Sequence, residues 1–422
     1  MDLLALVKEH EAELIAIRRH LHAHPELPGE EWQTLAFIKE KLECYGIGEV
    51  VEVENGGILA FIRGDKPGKT VLLRADIDAL PVQESECTLN GTKKHTVSEV
   101  AGVTHACGHD AHTAMLLIAG KVLNQIRDQI EGTVLLCFER GEEGPFLVGF
   151  ILKYLRDHKI AVDGCYGQHV SNMEPAGALV VQPGNMMAGI SSFNVTISGT
   201  GGHGSRPDEA NSPIDCFAAI VSGMNSLRMR SVNPFEVLTW SIGYVNAGIA
   251  NNVIPPSLKF GGTIRYYDEA KALQPFYKQL KRLWDDSGKA YGVKVEYPEL
   301  PVNLPLVNNE DCTRIAYNAF ADVFGKKSLT TMQPLMGSES FAYVLSQYPG
   351  VFAMFNTGSK KLGNYGTSHV PEFDVVEEVL YRGSAAHIAY ALAFLKNKEA
   401  ISFKKHPSSL EELFRRSGHP ID

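Results

Sequence analysis

TVLLRADIDALP, residues 70–81, reads as a strand that runs into a turn. Its first half is apolar and β-branched; its second half carries two aspartates and a proline. Similar segments follow. DAHTAMLLIAGKVLNQI (110–126) has helical periodicity, with Asp110 placed as a candidate N-cap. GTVLLCFE (132–139) is a short buried strand, GFILKYLRD (149–157) a helix, and GCYGQHV (164–170) the end of another strand. Strands alternating with helices predict an α/β layered domain around a mostly parallel sheet.

The character changes near residue 186. SSFNVTISGTGGHGSRP (191–207) is a strand followed by a glycine-rich turn, and SPIDCFAAIVSGMNSL (212–227) is an amphipathic helix. Two further strands and a second helix complete a smaller α+β module at 186–297. It interrupts the first domain, whose parts are then 1–185 and 298–422. Two domains suit a chain of 422 residues, more than one hydrophobic core usually serves. The last stretch, from about residue 396, reads as an appended helix or tail.

Composition excludes several classes. Hydrophobic content is 44%, charged content 21% and net charge −9, with no basic stripe, so nucleic acid is not the expected partner. The N-terminal segment is apolar at Leu14, Ile17 and Leu21, but charges interrupt it too often for a signal peptide or membrane span. Seven scattered cysteines, an odd number, argue against a disulfide framework and for a reducing, cytoplasmic setting.

HACGHDAHTAMLL (105–117) crowds three histidines, a cysteine and an aspartate together. Thiolate and imidazole are ligands for zinc and its neighbours. In an extended loop Cys107 and His109, two residues apart, would face one site. A lone pair of this kind is more often a buried cysteine beside surface histidines. Three other positions shift that balance. Glu142 and Glu143 follow a buried strand, where an α/β sheet places its site, and such a pair can supply a metal ligand and a general base. His169 ends another strand, and His369 lies in the loop GTSHVPEF. Taken singly, each of these histidines would pass as structural.

Together these blocks resemble peptidase family M20, subfamily D. Its dinuclear-metal amidohydrolases and exopeptidases include aminoacylases, hippurate hydrolase, plant auxin-conjugate hydrolases and N-acyl-amino-acid carboxypeptidases. The resemblance runs from about residue 10 to 395, through IRRHLHAHPELPGEE (17–31), RADIDALPVQE (74–84), HACGHDAHTAMLL (105–117), GEEG (141–144), GQHV (167–170), GTGGHGSRP (199–207), NNVIPP (251–256), GGTIR (261–265), MGSESFA (336–342) and SHVPEF (368–373). It implies a metallo-exopeptidase catalytic domain with an inserted lid and dimerisation domain. It implies Cys107, His109, Glu143, His169 and His369 as ligands for two divalent ions per chain, about 3.5–4 Å apart. Zinc is the first choice of metal, with manganese, cobalt or nickel as alternatives.

By the same resemblance Glu142 is the general base of a metal-activated water, and Asp78 orients a ligand from behind. His203 would reach into a partner subunit's site and polarise the scissile carbonyl, making a homodimer the expected assembly. Asn252 and Arg265 match lid positions that hold substrate; an ordinary strand salt bridge is the other reading of Arg265. The implied activity is hydrolysis of the amide bond of an N-acyl amino acid or small peptide-like amide. A dipeptidase or carboxypeptidase on the same scaffold and a non-catalytic binding protein are the alternatives.

Two departures stand out. Relatives usually carry glutamine-proline-alanine before the glutamate pair, where this chain has Glu139, Arg140 and Gly141, and so extra charge near the site. Relatives usually carry GSEDF where this chain has Ser340 in place of the acid. The loop 84–103 is unusual in composition and lies just ahead of the metal motif.

Overall fold

The computed structural model describes residues 2–421. An eight-stranded sheet lies at its centre. The spatial order is Glu49–Val53, Gly57–Arg63, Glu131–Glu139, Lys66–Asp76, Gly164–Ser171, Gly350–Asn356, Leu179–Val180 and Leu329–Thr330. The four strands from Glu131–Glu139 to Gly350–Asn356 run parallel, so their carboxyl ends share one edge. Leu73 sits opposite Leu136 on one side and Tyr166 on the other.

Side chains alternate across the sheet, as the two-residue strand period requires. Val71, Leu73 and Ala75 enter one core, while Leu72 enters the other. Helices Glu11–Ala23, His109–Gln125, Glu310–Phe324 and Leu380–Lys396 cover the first face. Helices Val148–Asp157, Phe341–Gln347 and Leu410–Ser417 cover the second. Helix His109–Gln125 is buried nearly all round, from Met115 through Ile118 to Leu123. Truncating one such side chain, as in Leu117→Ala, costs about 2–5 kcal/mol.

A second sheet of four antiparallel strands has the order Leu238–Ala247, Ser257–Tyr266, Gly189–Ser198, Lys294–Glu296. Helices Pro213–Ser231 and Gln274–Ala290 pack against it around Phe193, Phe260, Phe276 and Trp284. Ser212 caps the first of these helices, its side chain accepting the Asp215 N–H, and Pro213 opens the first turn. The chain enters this module through strand Gly184–Met187 and leaves through Leu306–Asn308, which pair antiparallel.

One local reading needs correction. Asp110 does not cap its helix. The helix begins at His109 behind a left-handed Gly108, and Asp110 turns inward to Arg18 and His22. The C-terminal stretch ends in the expected appended helix, Leu410–Ser417, whose Leu410, Leu413 and Phe414 fill the second core. The loop 84–103 does not line the metal cluster's cavity. It braces the segment that carries His369: Thr88 Oγ1 donates to Leu362 O, Asn90 Nδ2 to Lys361 O, and Lys94 Nζ to Pro371 O.

Candidate metal centre

The carboxyl edge of the parallel strands brings the five expected ligands together from four segments. Cys107 Sγ lies 3.3 Å from His169 Nε2 and 3.3 Å from His369 Nε2. His369 Nε2 is 3.0 Å from Glu143 Oε1, and His109 Nε2 is 3.9 Å from the same oxygen. All five expected ligands therefore meet. Two of the ligand groupings, Cys107–His109–His169 and Cys107–Glu143–His369, share the cysteine. The loop around Cys107 is not extended. Left-handed Gly108 (φ 86°) turns the chain into the helix, and that turn sets Cys107 and His109 side by side.

The hydrogen bonds leave metal-facing atoms free. His109 donates Nδ1–H to Asp78 Oδ1 at 3.2 Å, and His169 donates Nδ1–H to Val170 O at 2.6 Å. Each arrangement points Nε2 inward, as a ligand requires. Asp78 also accepts the Glu143 N–H at 2.8 Å, so one carboxylate orients two candidate ligands. Within the cluster, His109 Nε2 is buried without a hydrogen-bond partner, beside the Cys107 thiol and the Glu143 carboxylate. A buried imidazole nitrogen facing a thiol and a carboxylate suits a cation. Burial raises the Cys107 thiol's pKa, so a thiolate there needs a cation beside it. His369 holds a positive φ of 66°, unusual for a residue with a side chain, and its N–H is anchored on Ala106 O at 2.8 Å.

His112 is a neighbour of this cluster whose nitrogens are both engaged. Its Nδ1–H meets Asp76 Oδ1 at 2.5 Å, and its Nε2 accepts the Val170 N–H at 2.8 Å. Burial pushes its pKa down to about 4, so it serves as a neutral brace for the His169 strand.

Glu142 is 7% exposed, and its Oε1 accepts the Ser340 N–H at 3.0 Å. Burial, then the charges of Glu339 and Glu143, hold its pKa well above the usual carboxylate range. Glu143 shifts the other way: burial would raise it, but the bond to His369 and the charge of His109 bring it below. Two adjacent carboxyls are thus driven toward different protonation states, as an acid–base partner and a ligand would be.

The two departures from the family pattern meet behind Glu142. Arg74 Nε donates to Glu139 Oε2 at 2.7 Å, Nη1 to Asp76 Oδ2 at 2.7 Å, and Nη2 lies 2.9 Å from Glu339 Oε1. Ser340 Oγ donates to Glu139 and accepts from Arg74. Arg140 pairs with Glu31 at 2.8 Å. Neither Glu139 nor Arg140 lines the cavity, so the expected extra charge is neutralised behind it. Arg74 and Glu339 were not singled out by sequence, because their roles depend on contacts more than 60 residues away.

The cluster opens into a cavity of about 520 Å³. Arg265, half-buried on the inserted sheet, lines it with no acidic partner among the described residues, which rules out the strand salt bridge. His203 and Asn252 do not reach it. They lie exposed on the short pair Gly202–His203 and Val253–Ile254 and the turn before it, where Gly204 N–H donates to Asn252 O.

Comparison with known proteins agrees with this site. The profile described as Peptidase family M20/M25/M40 matches residues 72–393. The chain is 34% identical over 391 residues to IAA-amino acid hydrolase ILR1-like 2 of Arabidopsis thaliana, covering 91% of this chain and 86% of that one. It is 34% identical over 394 residues to thermostable carboxypeptidase 2 of Saccharolobus solfataricus, covering 92% and 97%. Among solved structures, a dinuclear metal-binding peptidase of the M20 family from Bacillus subtilis superposes with TM-score 0.77 and 30% identity, over 92% of this chain and 99% of that one. The chain belongs to peptidase family M20/M25/M40 and is a metal-dependent hydrolase of amide or peptide bonds.

Proposed function

We propose that the substrate is a small N-acyl amino acid, cleaved to a carboxylic acid and an amino acid. The observation that carries this reading is Arg265: an unpaired, half-buried guanidinium in the same cavity as the five-ligand cluster. A substrate carboxylate is its natural partner, and a planar fork fixes that carboxylate's direction. Relatives named IAA-amino acid hydrolase and N-acetyl-L-cysteine deacetylase point to the same class.

Cys107, His109, Glu143, His169 and His369 hold two divalent ions in this reading, zinc first on ligand softness, with manganese, cobalt or nickel as alternatives. Bound there, the ions act as Lewis acids and lower the pKa of a water molecule toward neutrality. Glu142 takes the proton of the attacking water and returns it to the leaving nitrogen. Its raised pKa suits a group that must carry that proton for a time. Asp78 keeps His109 and Glu143 in place.

The module at 186–297 is read as a lid that also dimerises, through which His203 of the partner subunit polarises the carbonyl and Asn252 helps hold the substrate. Its outer strand Leu238–Ala247 has an open edge, and Phe235 and Ile249 near it are 95% and 104% exposed. No helix among the described residues is long and apolar enough to cross a membrane. All seven cysteines are unpaired, which supports a cytoplasmic setting.

Glu142→Gln tests the chemistry. The expected result is a loss of kcat of about 10²–10⁴-fold with the metal content kept. Loss of metal in this variant, or full activity after chelation, would overturn the assignment. A carboxypeptidase acting on short peptides is the second reading, favoured by the Saccharolobus relative and by Arg265, which would hold a peptide's terminal carboxylate equally well. A strict requirement for a free α-amino group in the substrate decides for a dipeptidase.

A further inference from the structure

Half of the chain's ten methionines line the cavity beside the metal cluster. They are Met173, Met187, Met332, Met336 and Met354, and they arrive from four separate segments. Met354 pairs in register with His169 on the neighbouring parallel strand, so its side chain rises on the same face as that ligand. Met187 ends the strand that leads into the inserted module and is bridged to Leu335, a neighbouring residue of the same lining. Among the described residues Phe373 is the single phenylalanine, tyrosine or tryptophan in the lining.

We infer that this wall receives a flexible aliphatic acyl group of medium length, an inference that rests on the N-acyl amino acid reading above. With Arg265 on the substrate carboxylate and the ligand cluster at the scissile carbonyl, the five thioethers, Val170 and Leu335 supply the apolar part of the remaining lining, beside polar Ser171, Asn172, Ser338, Thr367 and Ser368. Methionine is unbranched and polarisable, so a wall of methionines reshapes itself around a chain that has many rotamers. A flat ring is held better by rigid aromatic faces, and one phenylalanine does not make a stacking slot. An acetyl group would leave most of about 520 Å³ to water.

The test is a calorimetric titration of the purified, metal-containing protein with straight-chain carboxylates from acetate to dodecanoate, beside kcat/KM on N-acetyl-, N-octanoyl- and N-dodecanoylglycine. Affinity is expected to tighten by about three- to fourfold per methylene until the cavity fills. Met354→Ala and Met187→Ala should weaken octanoate at least about fivefold and leave acetate within about twofold, with the cost on N-octanoylglycine appearing in KM. Affinity that is flat with chain length in the unaltered protein overturns the inference, as does phenylacetate binding tighter than octanoate. Equal losses on acetate and octanoate assign the methionines a structural role and overturn it too. Tightening along the carboxylate series without turnover of any N-acylglycine upholds the apolar pocket and refutes the N-acyl amino acid reading. Turnover with no chain-length dependence does the reverse.

Discussion

Arg74 is 1% exposed and faces Asp76, Glu139 and Glu339, with Ser340 completing its shell. The family pattern that the sequence resembles implies an amide where this chain has Glu139 and an acid where it has Ser340. Here the carboxylate has moved across the cation, and the serine hydroxyl donates to it. The two departures are therefore one compensated exchange. Ser340→Asp alone sets a fourth carboxylate against Glu139 and Glu339, and Glu139→Gln alone removes one of the arginine's partners. Ser340→Asp should lose about 2–4 kcal/mol of stability, since a buried carboxylate is left without a partner, and Glu139→Gln about 1–2 kcal/mol through weakened hydrogen bonds to Arg74 and Ser340. The double variant should recover most of it, a coupling that urea unfolding midpoints measure directly. Ser340 N–H also holds Glu142, so kcat should fall in Ser340→Asp and return in the double variant. Strictly additive losses would mean that the two positions act independently.

At the scale of the element, the start of helix His109–Gln125 decides whether the metal cluster forms. Gly108 holds φ 86°, and a Cβ built there would come 2.4 Å from Val170 Cγ2. Gly108→Ala must therefore both strain the backbone and push the strand that carries His169. A loss of at least about 1–3 kcal/mol is expected, with metal content falling more steeply than secondary structure. Circular dichroism with metal analysis checks it; full metal content would show that the turn adapts. This turn also marks where sequence stops being informative. The parallel strands are legible because Val71 to Leu73 and Val134 to Phe138 are apolar on both faces, which only a doubly covered sheet requires. The five candidate ligands are legible because cysteine, histidine and glutamate recur in short motifs in loops and turns and at the end of strand Gly164–Ser171, types that suit a transition metal. Asp110 misleads because an aspartate at a helix start usually caps. Here Arg18, 92 residues earlier in the chain, draws it inward, and no local pattern carries that distance. The methionine wall is illegible for the same reason, since it exists only once four segments converge.

The whole molecule leaves one problem unsolved within a single chain. Arg265 faces the cavity, but His203 and Asn252, on the same module, are exposed outside it. A second copy supplies the missing side if the modules pair through strand Leu238–Ala247, whose outer edge has unmet N–H and C=O groups and exposed Tyr244 and Val245. Open strand edges of this kind either pair or are guarded by charge, and no lysine or arginine lies on this strand. A lysine placed there should block pairing and leave the monomer's own cores untouched, because Val245 is 45% exposed. Val245→Lys is therefore expected to sediment as a monomer where the unaltered protein sediments as a dimer. Its kcat should fall about as far as that of His203→Ala, about 10²–10³-fold for loss of one carbonyl-polarising donor. Its metal content should not change, because all five ligand positions lie on one chain. An unaltered protein that is fully active as a monomer would remove His203 from the catalytic group and return the exposed edge to an unexplained feature of the lid.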